Sequence, residues 1–235
     1  ETASTTYSVA WIDCVTQGKA MGRSVLGVGE VAPTGGLRTH DEPKLNLPLV
    51  PPFSCVRPWP IRAFNALIYH KTLRKVSRGP VHYDTFFYRL YIARGWNGLY
   101  GPSGFTQYQF VLPTAAGREG MRTLMTRIAA SGMDSSLAVL KTTGAQNANP
   151  LSFPLAGYTL AMDFKHQPGL FKFLDELDAA VMGYGGRVYL AKDVRVNEAN
   201  FKRMYPRWRG FEDIREKVGA IGRFASLQSK RLGLG

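Results

Sequence analysis

Apolar and polar residues alternate at the start of the chain, which marks its first two elements. In "TYSVAWIDC", Tyr7, Val9 and Trp11 fall on one side of an extended backbone, and "RSVLGVGEV" repeats the period of two after the turn-like "TQGKAMG". An antiparallel strand pair is predicted here. Residues 31–60, with "APTGG", "DEPKLNLP" and "VPPF", carry many of the prolines and no period, which predicts a long loop. Over 61–76 the spacing becomes helical, with Ile61, Phe64, Leu67 and Ile68 on one stripe.

Two strand–helix–strand units follow. "GFTQYQFVLP" predicts a strand with Tyr108, Phe110 and Leu112 on one face and Gln107 and Gln109 on the other. Thr114 opens a helix carrying Met121, Leu124 and Ile128 that stops at Gly132, and "SSLAVLK" returns as a strand ending at Lys141. "GYTLAMDF" is the next strand. "GLFKFLDELDAAVM" is a helix with Leu170, Leu174, Leu177 and Val181 in 4-3-4 spacing, and "GGRVYLA" returns as a strand. Residues 198–235 predict short helices around "MYPRW". The sum is an α+β fold: a large antiparallel sheet with helices packed mainly on one face.

Composition narrows the class. With 45% hydrophobic and 20% charged residues, the 235-residue chain has the make-up of a soluble globular protein. No apolar run approaches the roughly 18 residues of a membrane span, so a cytoplasmic or peripheral-membrane placement is expected. The start, "ETASTTYSVAWID", has neither a basic n-region nor an apolar h-region and no initiator Met, and is expected to be internal to a longer protein. Cys14 and Cys55 make no disulfide framework, and the four scattered histidines give no metal spacing; both cysteines are expected to be reduced packing residues. The net charge of +13 is uneven: residues 53–94 hold 8 basic groups against 1 acidic, and 187–235 hold 12 against 5. Such segments suit anionic ligands, membrane phosphates or nucleic acid.

Candidate chemistry is sparse. Gln107 and Gln109, about 7 Å apart on one strand face, can hydrogen-bond neighbouring sugar hydroxyls, although a solvated sheet face would place glutamines identically. Lys141 shares a face with Leu137 and Val139 and precedes the polar loop "TTGAQNANP". Lys192 lies in "RVYLAKDVR", between alanine and aspartate at the end of a predicted strand. "VLGVGE" lacks the third glycine and the helix of a dinucleotide fingerprint, and there is no Walker loop, Ser-His-Asp pattern or nucleophile elbow. Unaided, these residues define only a basic soluble α+β module.

Four stretches in order carry a resemblance: "YSVAWIDC…GRSVL", "GWNGLYGPSGFTQYQFVLP", "LKTTGAQNANPLSFPLAGYTLAMDF" and "GGRVYLAKDVR…FKRMYP". Together they resemble the C-terminal half of the vanillyl-alcohol-oxidase-type FAD-linked oxidases, in the branch acting on aldonolactones such as D-arabinono-1,4-lactone and on polyprenylphosphoryl pentoses. The resemblance covers nearly the whole chain. It implies a substrate-binding cap domain over 1–186, and a segment over 187–235 that returns to an N-terminal FAD-binding domain. It implies oxidation of a secondary alcohol of a sugar, polyol or lactone by hydride transfer to flavin, with FAD held mainly by that other domain. Lys192 matches the catalytic lysine at the flavin edge, and Tyr189 matches a tyrosine touching the flavin. Gln107, Gln109, Lys141, Tyr88 and Thr159 match sugar-site positions. Arg89 and Tyr91 depart from the usual Pro and Asp, and Thr159 and Ala161 from the Asn and Cys of close relatives, which bears on the substrate. Without its FAD-binding half the chain is expected to be inert, with 198–235 poorly packed or held by another copy. A peripheral membrane contact is among the expected partners, and nucleic acid is not. A rival from another class is a non-catalytic basic module binding nucleic acid or an anionic membrane, with Tyr205, Trp208 and Phe211 interleaved among the cations.

Overall fold

The computed structural model describes residues 5–36, 45–72, 74–88, 93–133 and 135–234. The departures at Arg89 and Tyr91, and positions 37–44 of the long loop, lie outside them. The strands are β1 (Tyr7–Ile12), β2 (Ser24–Gly29), β3 (Leu45–Asn46), β4 (Ala93–Arg94), β5 (Phe105–Pro113), β6 (Ser135–Thr143), β7 (Gly157–Lys165) and β8 (Arg187–Val188). The α-helices are α1 (Pro58–Lys71), α2 (Tyr83–Phe87), α3 (Thr114–Ser131), α4 (Leu170–Gly183), α5 (Glu198–Met204), α6 (Trp208–Lys217) and α7 (Leu227–Arg231). Six strands form one sheet in the order β2-β1-β6-β7-β5-β8, while β3 and β4 pair in parallel by themselves. The large antiparallel sheet and the α+β class are as the sequence predicts. By contacts the chain divides into two compact units, residues 1–105, 125–142 and 162–167, and residues 106–124, 143–161 and 168–235.

In the first unit β1 pairs antiparallel with β2 from Tyr7↔Gly29 to Ile12↔Ser24, and with β6 at Trp11↔Val139. The turn after β1 is built on buried Asp13. Its carboxylate accepts hydrogen bonds from the Val15 and Thr16 amides (3.1 Å each), the Thr16 hydroxyl (2.7 Å), Arg23 Nε (2.9 Å) and Asn65 Nδ2 (2.9 Å). Burial works to raise its pKa, but the hydrogen bonds from Thr16, Val15 and Asn65 outweigh that and hold it below the usual carboxylate range. Val15, Val56, Ile61 and Tyr100 form a small core, with Trp96 and Phe105 packed against it. Helix α1 begins at Pro58, three residues before its apolar stripe, because prolines fit a first turn whose N–H groups need no partner. The stripe is corrected at two positions: Ile61 is buried, but Phe64 is half-exposed beside a cavity and Leu67 is 66% exposed and turns outward.

In the second unit Tyr108, Phe110 and Leu112 of β5 and the whole Leu170–Leu174–Leu177–Val181 stripe of α4 are buried, as predicted. The return strand is much shorter than "GGRVYLA". β8 pairs antiparallel with β5 only at Phe110↔Val188 and Val111↔Arg187. A Cβ on Gly186 would lie 2.4 Å from the Val111 carbonyl oxygen, so only glycine lets the chain approach β5 there. The Tyr189 amide still donates to the Gln109 carbonyl (2.8 Å), after which Leu190–Lys192 coil into a 3-10 turn. Lys192 therefore sits on a helical turn, not at a strand end. The expectation of a poorly packed tail holds for Ile214, Val218, Phe224 and Leu227, which are exposed, and is corrected at the tail's two ends. Phe201, Met204, Tyr205, Leu232 and Leu234 are buried, because β8 and the 3-10 turn give them apolar surface and carbonyls within this unit. The Tyr205 hydroxyl donates to the Val188 carbonyl (2.7 Å), and Gln228 Nε2 to that of Leu190 (2.6 Å).

Candidate functional site

Two places gather the candidate residues, one in each unit. In the second unit the "AKDVR" turn is fixed by two of its three charges. The Asp193 carboxylate accepts from the Arg195 and Val196 amides (2.9 and 2.8 Å) and pairs with Arg231 (2.9 Å). Arg195 donates to both oxygens of Asp178 (2.8 and 2.9 Å), to the Leu174 carbonyl (3.1 Å) and to Asp175, and its guanidinium lies 5.7 Å from the Tyr108 ring centroid. The Tyr108 hydroxyl donates to the same Asp178 (2.8 Å). Burial pushes the Tyr108 hydroxyl well above its ordinary range, with the Asp178 charge adding to it; burial likewise pushes the Asp178 carboxyl up against the hydrogen bonds of Arg195 and Tyr108. For Arg195 burial acts downward, and the hydrogen bonds and charge of Asp178 more than reverse it.

The third charge is Lys192. It is half-buried, and its ammonium has no hydrogen bond or ion pair among the described residues. It lines a narrow cleft with Gln107, Tyr108 and Arg195, whose volume of about 10 Å³ admits roughly one water. Gln109 does not line this cleft. Its amide donates to the Thr159 hydroxyl (3.1 Å), which in turn donates to the Phe110 carbonyl (2.8 Å). Thr159 is buried, so here it positions Gln109 and presents no free hydroxyl. Tyr189 is half-buried with its ring against Phe153, centroids 4.4 Å apart.

In the first unit a cavity of about 1080 Å³ opens beside the β1–β6 pair. The period of two builds one wall: Tyr7, Val9 and Trp11 from β1, and Leu137, Val139 and Lys141 from β6. Ile61, Phe64 and Ile68 of α1 contribute at helical spacing, and Phe86, Phe87 and Tyr88 come from the end of α2. The lining is largely aromatic and aliphatic. Lys141 stands at the end of its apolar row, and its ammonium has no partner among the described residues. Cys55 is exposed and also lines the cavity, whereas Cys14 is buried, with burial and then the Asp13 charge pushing its thiol up.

The structure thus brings Lys141 and Tyr88 to one cavity, Lys192 and Gln107 to one cleft, and Thr159 to Gln109. Sequence reasoning missed the Tyr108–Asp178–Arg195 cluster that carries the Lys192 turn. Its signal was an acid next to Leu177 on the apolar stripe of α4, where a charge is retained only with partners. The aromatics of the nucleic-acid reading are not free to stack on bases. Tyr205 is buried, Lys202 lies 4.2 Å and Arg209 5.4 Å from the Trp208 ring centroid, and Arg215 lies 6.0 Å from that of Phe211.

No protein-family profile matches the chain. Among curated proteins it is 37% identical over 242 residues to decaprenylphosphoryl-beta-D-ribose oxidase of Mycolicibacterium smegmatis, an alignment covering 99% of this chain and 52% of the oxidase. It is 29% identical over 245 residues to an uncharacterized protein in the mprA 5' region of Streptomyces coelicolor, covering 97% of this chain and 66% of that protein. The chain spans about half the length of the first relative and about two thirds of the second. The resemblance carried by the four motifs is borne out: along nearly all its length, this chain is similar to part of a decaprenylphosphoryl-beta-D-ribose oxidase.

Proposed function

We propose that this chain is the substrate-binding part of an FAD-linked oxidase acting on a secondary alcohol of a sugar carried by a polyprenyl phosphate. The observation that carries the reading is the 37% identity to decaprenylphosphoryl-beta-D-ribose oxidase over 99% of the chain. The geometry supports it at two points. An apolar cavity of about 1080 Å³ with one unpartnered ammonium suits an amphipathic ligand, its hydrocarbon on the Leu137–Val139 wall and its anionic or hydroxylated head at Lys141. Tyr88, from the end of α2, lines the same cavity and adds an aromatic wall for that hydrocarbon.

FAD is held mainly by a part of the enzyme outside this chain in this reading. Tyr189 and Lys192 fit a contact at its ring edge, being a half-buried ring and, three residues on, an unpaired ammonium on a turn fixed by Asp193 and Arg195. When bound, FAD supplies an acceptor for the two electrons and the hydrogen of an alcohol C–H bond. Lys192 supplies a positive charge, from a turn held in place by its neighbours, to an acceptor that becomes more anionic. Gln107 lines the same cleft, and Thr159 sets the Gln109 amide on the same strand. The test is anaerobic addition of a prenylphosphoryl pentose to the FAD-loaded enzyme that contains this chain. The flavin band should bleach in one turnover; an unbleached flavin with the substrate demonstrably bound overturns the reading.

A further inference from the structure

Helix α1 is apolar on two opposite sides, and the function proposed above uses only one. At 100° per residue, Ile61, Asn65 and Ile68 point to the buried side, where Ile61 and Ile68 line the cavity. Trp59, Ala63, Ala66, Leu67 and His70 fall on the opposite side, where Trp59 is 73% exposed and Leu67 66%. Arg62 and Lys71 flank that outer face, one on each edge. Large apolar side chains aligned on an outward helix face need a partner, since water gives them none. The charge around them says what kind. No aspartate or glutamate occurs between Glu42 and Asp84, while Lys44, Arg57, Arg62, Lys71, Arg74, Lys75 and Arg78 all do. A tryptophan and a leucine framed by cations, in a stretch of sequence without an acid, is the composition of a helix lying in a lipid headgroup layer. Among the described residues no helix is long and apolar enough to cross a membrane, so the contact is peripheral.

We propose that the outer face of α1 docks the first unit on an anionic bilayer, with Trp59 and Leu67 entering the headgroup layer and Arg62 and Lys71 meeting lipid phosphates. The docking stands on exposure and charge alone. One consequence rests on the proposed function: because the inner face of α1 lines the cavity, docking sets that cavity beside the surface from which a lipid-carried sugar comes.

The experiment is co-sedimentation of the 235-residue chain with phosphatidylcholine vesicles made with and without phosphatidylglycerol. The chain should bind the phosphatidylglycerol vesicles only, and progressively less as salt rises. Trp59→Ser with Leu67→Ser, both at exposed positions, should weaken binding about tenfold or more while circular dichroism stays unchanged. Arg62→Gln and Lys71→Gln should each weaken it about fivefold. Trp59→Phe should keep the binding but abolish the blue shift of tryptophan fluorescence on adding vesicles. Three results overturn the proposal: no binding to the anionic vesicles, equal binding to neutral ones, or binding unmoved by the Trp59 and Leu67 changes. Binding to a random single-stranded oligonucleotide that outcompetes the vesicles also overturns it and reassigns the cations. None of these touches flavin bleaching by a prenylphosphoryl pentose, so this proposal and the oxidase reading fail separately.

Discussion

Lys141 and Lys192 are the same residue type held in opposite ways. Lys141 ends an apolar row on β6, and its environment follows from strand periodicity: Leu137, Val139 and Lys141 share a face and one cavity. Its neighbours on that wall are side chains that cannot orient it. Lys192 sits on a 3-10 turn whose backbone is fixed from outside, since Asp193, Arg195, Asp178 and Tyr108 hold the turn by hydrogen bonds and ion pairs. Those partners are consumed by one another, and none reaches the Lys192 ammonium. The first arrangement leaves a cation free to follow a mobile ligand. The second fixes the turn from which the cation projects, so that its Cα keeps one position while the ammonium stays unpaired.

If that difference is real, removing the support under Lys192 should have the largest effect. Asp178→Ala leaves the Arg195 guanidinium without its buried counter-charge and the Tyr108 hydroxyl without its acceptor. The expected cost is about 3–5 kcal/mol of stability, measured by denaturant unfolding. Asp178→Asn keeps an acceptor for Tyr108 and should cost less. A loss below about 1 kcal/mol for the alanine variant would mean that the cluster does not hold the turn.

Next comes Lys192 itself. In the FAD-loaded enzyme, Lys192→Met should slow flavin reduction in single-turnover experiments by about 10²–10³-fold with the unfolding midpoint little changed. Lys192→Arg should recover only part of the rate, because the guanidinium keeps the charge but not its compact geometry. A purely structural lysine gives the opposite pattern, lower stability and an unchanged rate.

For Lys141 a smaller effect is expected, and on affinity. Lys141→Met should weaken binding of a prenylphosphoryl pentose about tenfold, the worth of one charge-assisted hydrogen bond at an exposed site, with no loss of stability. A change in reduction rate at saturating substrate would erase the contrast with Lys192.

The contrast also separates what the sequence reveals from what it hides. Periodicity located the α4 stripe and the buried face of β5, each a local repeat set against a core, and the Leu137–Lys141 row, a local repeat that lines a cavity. Leu67 defeated it: a helix apolar on two sides offers more than one stripe, and 61-64-67-68 combines residues from opposite sides. The length of β8 was invisible because it depends on Gly186 meeting Val111 on another strand. The burial of the tail's two ends was missed because the surface they cover lies in their own unit. Lys192 was singled out by resemblance alone, for the Tyr108–Asp178–Arg195 support joins residues 70 and 17 positions apart.

The smallest expected effect concerns the first unit, where buried Asp13 behaves unlike Asp178. Hydrogen bonds hold the Asp13 carboxyl below the usual range despite its burial, so the folded state keeps it ionised where the unfolded chain takes up a proton. The sign follows. Asp13 contributes its full stability above the unfolded pKa of about 3.9, and loses it as pH falls through the lower, folded value. At neutral pH it adds no slope, which is why the effect ranks last. Urea unfolding of wild type and Asp13→Asn at pH 7, 5, 4 and 3 isolates it, because the other carboxyls are common to both. Asparagine keeps an acceptor for the Val15 and Thr16 amides but gives Arg23 no charge, so wild type should lead at pH 7. That lead should shrink below about pH 4. Two parallel stability curves would show that Asp13 titrates alike in both states, and that the hydrogen bonds of its turn favour neither protonation form.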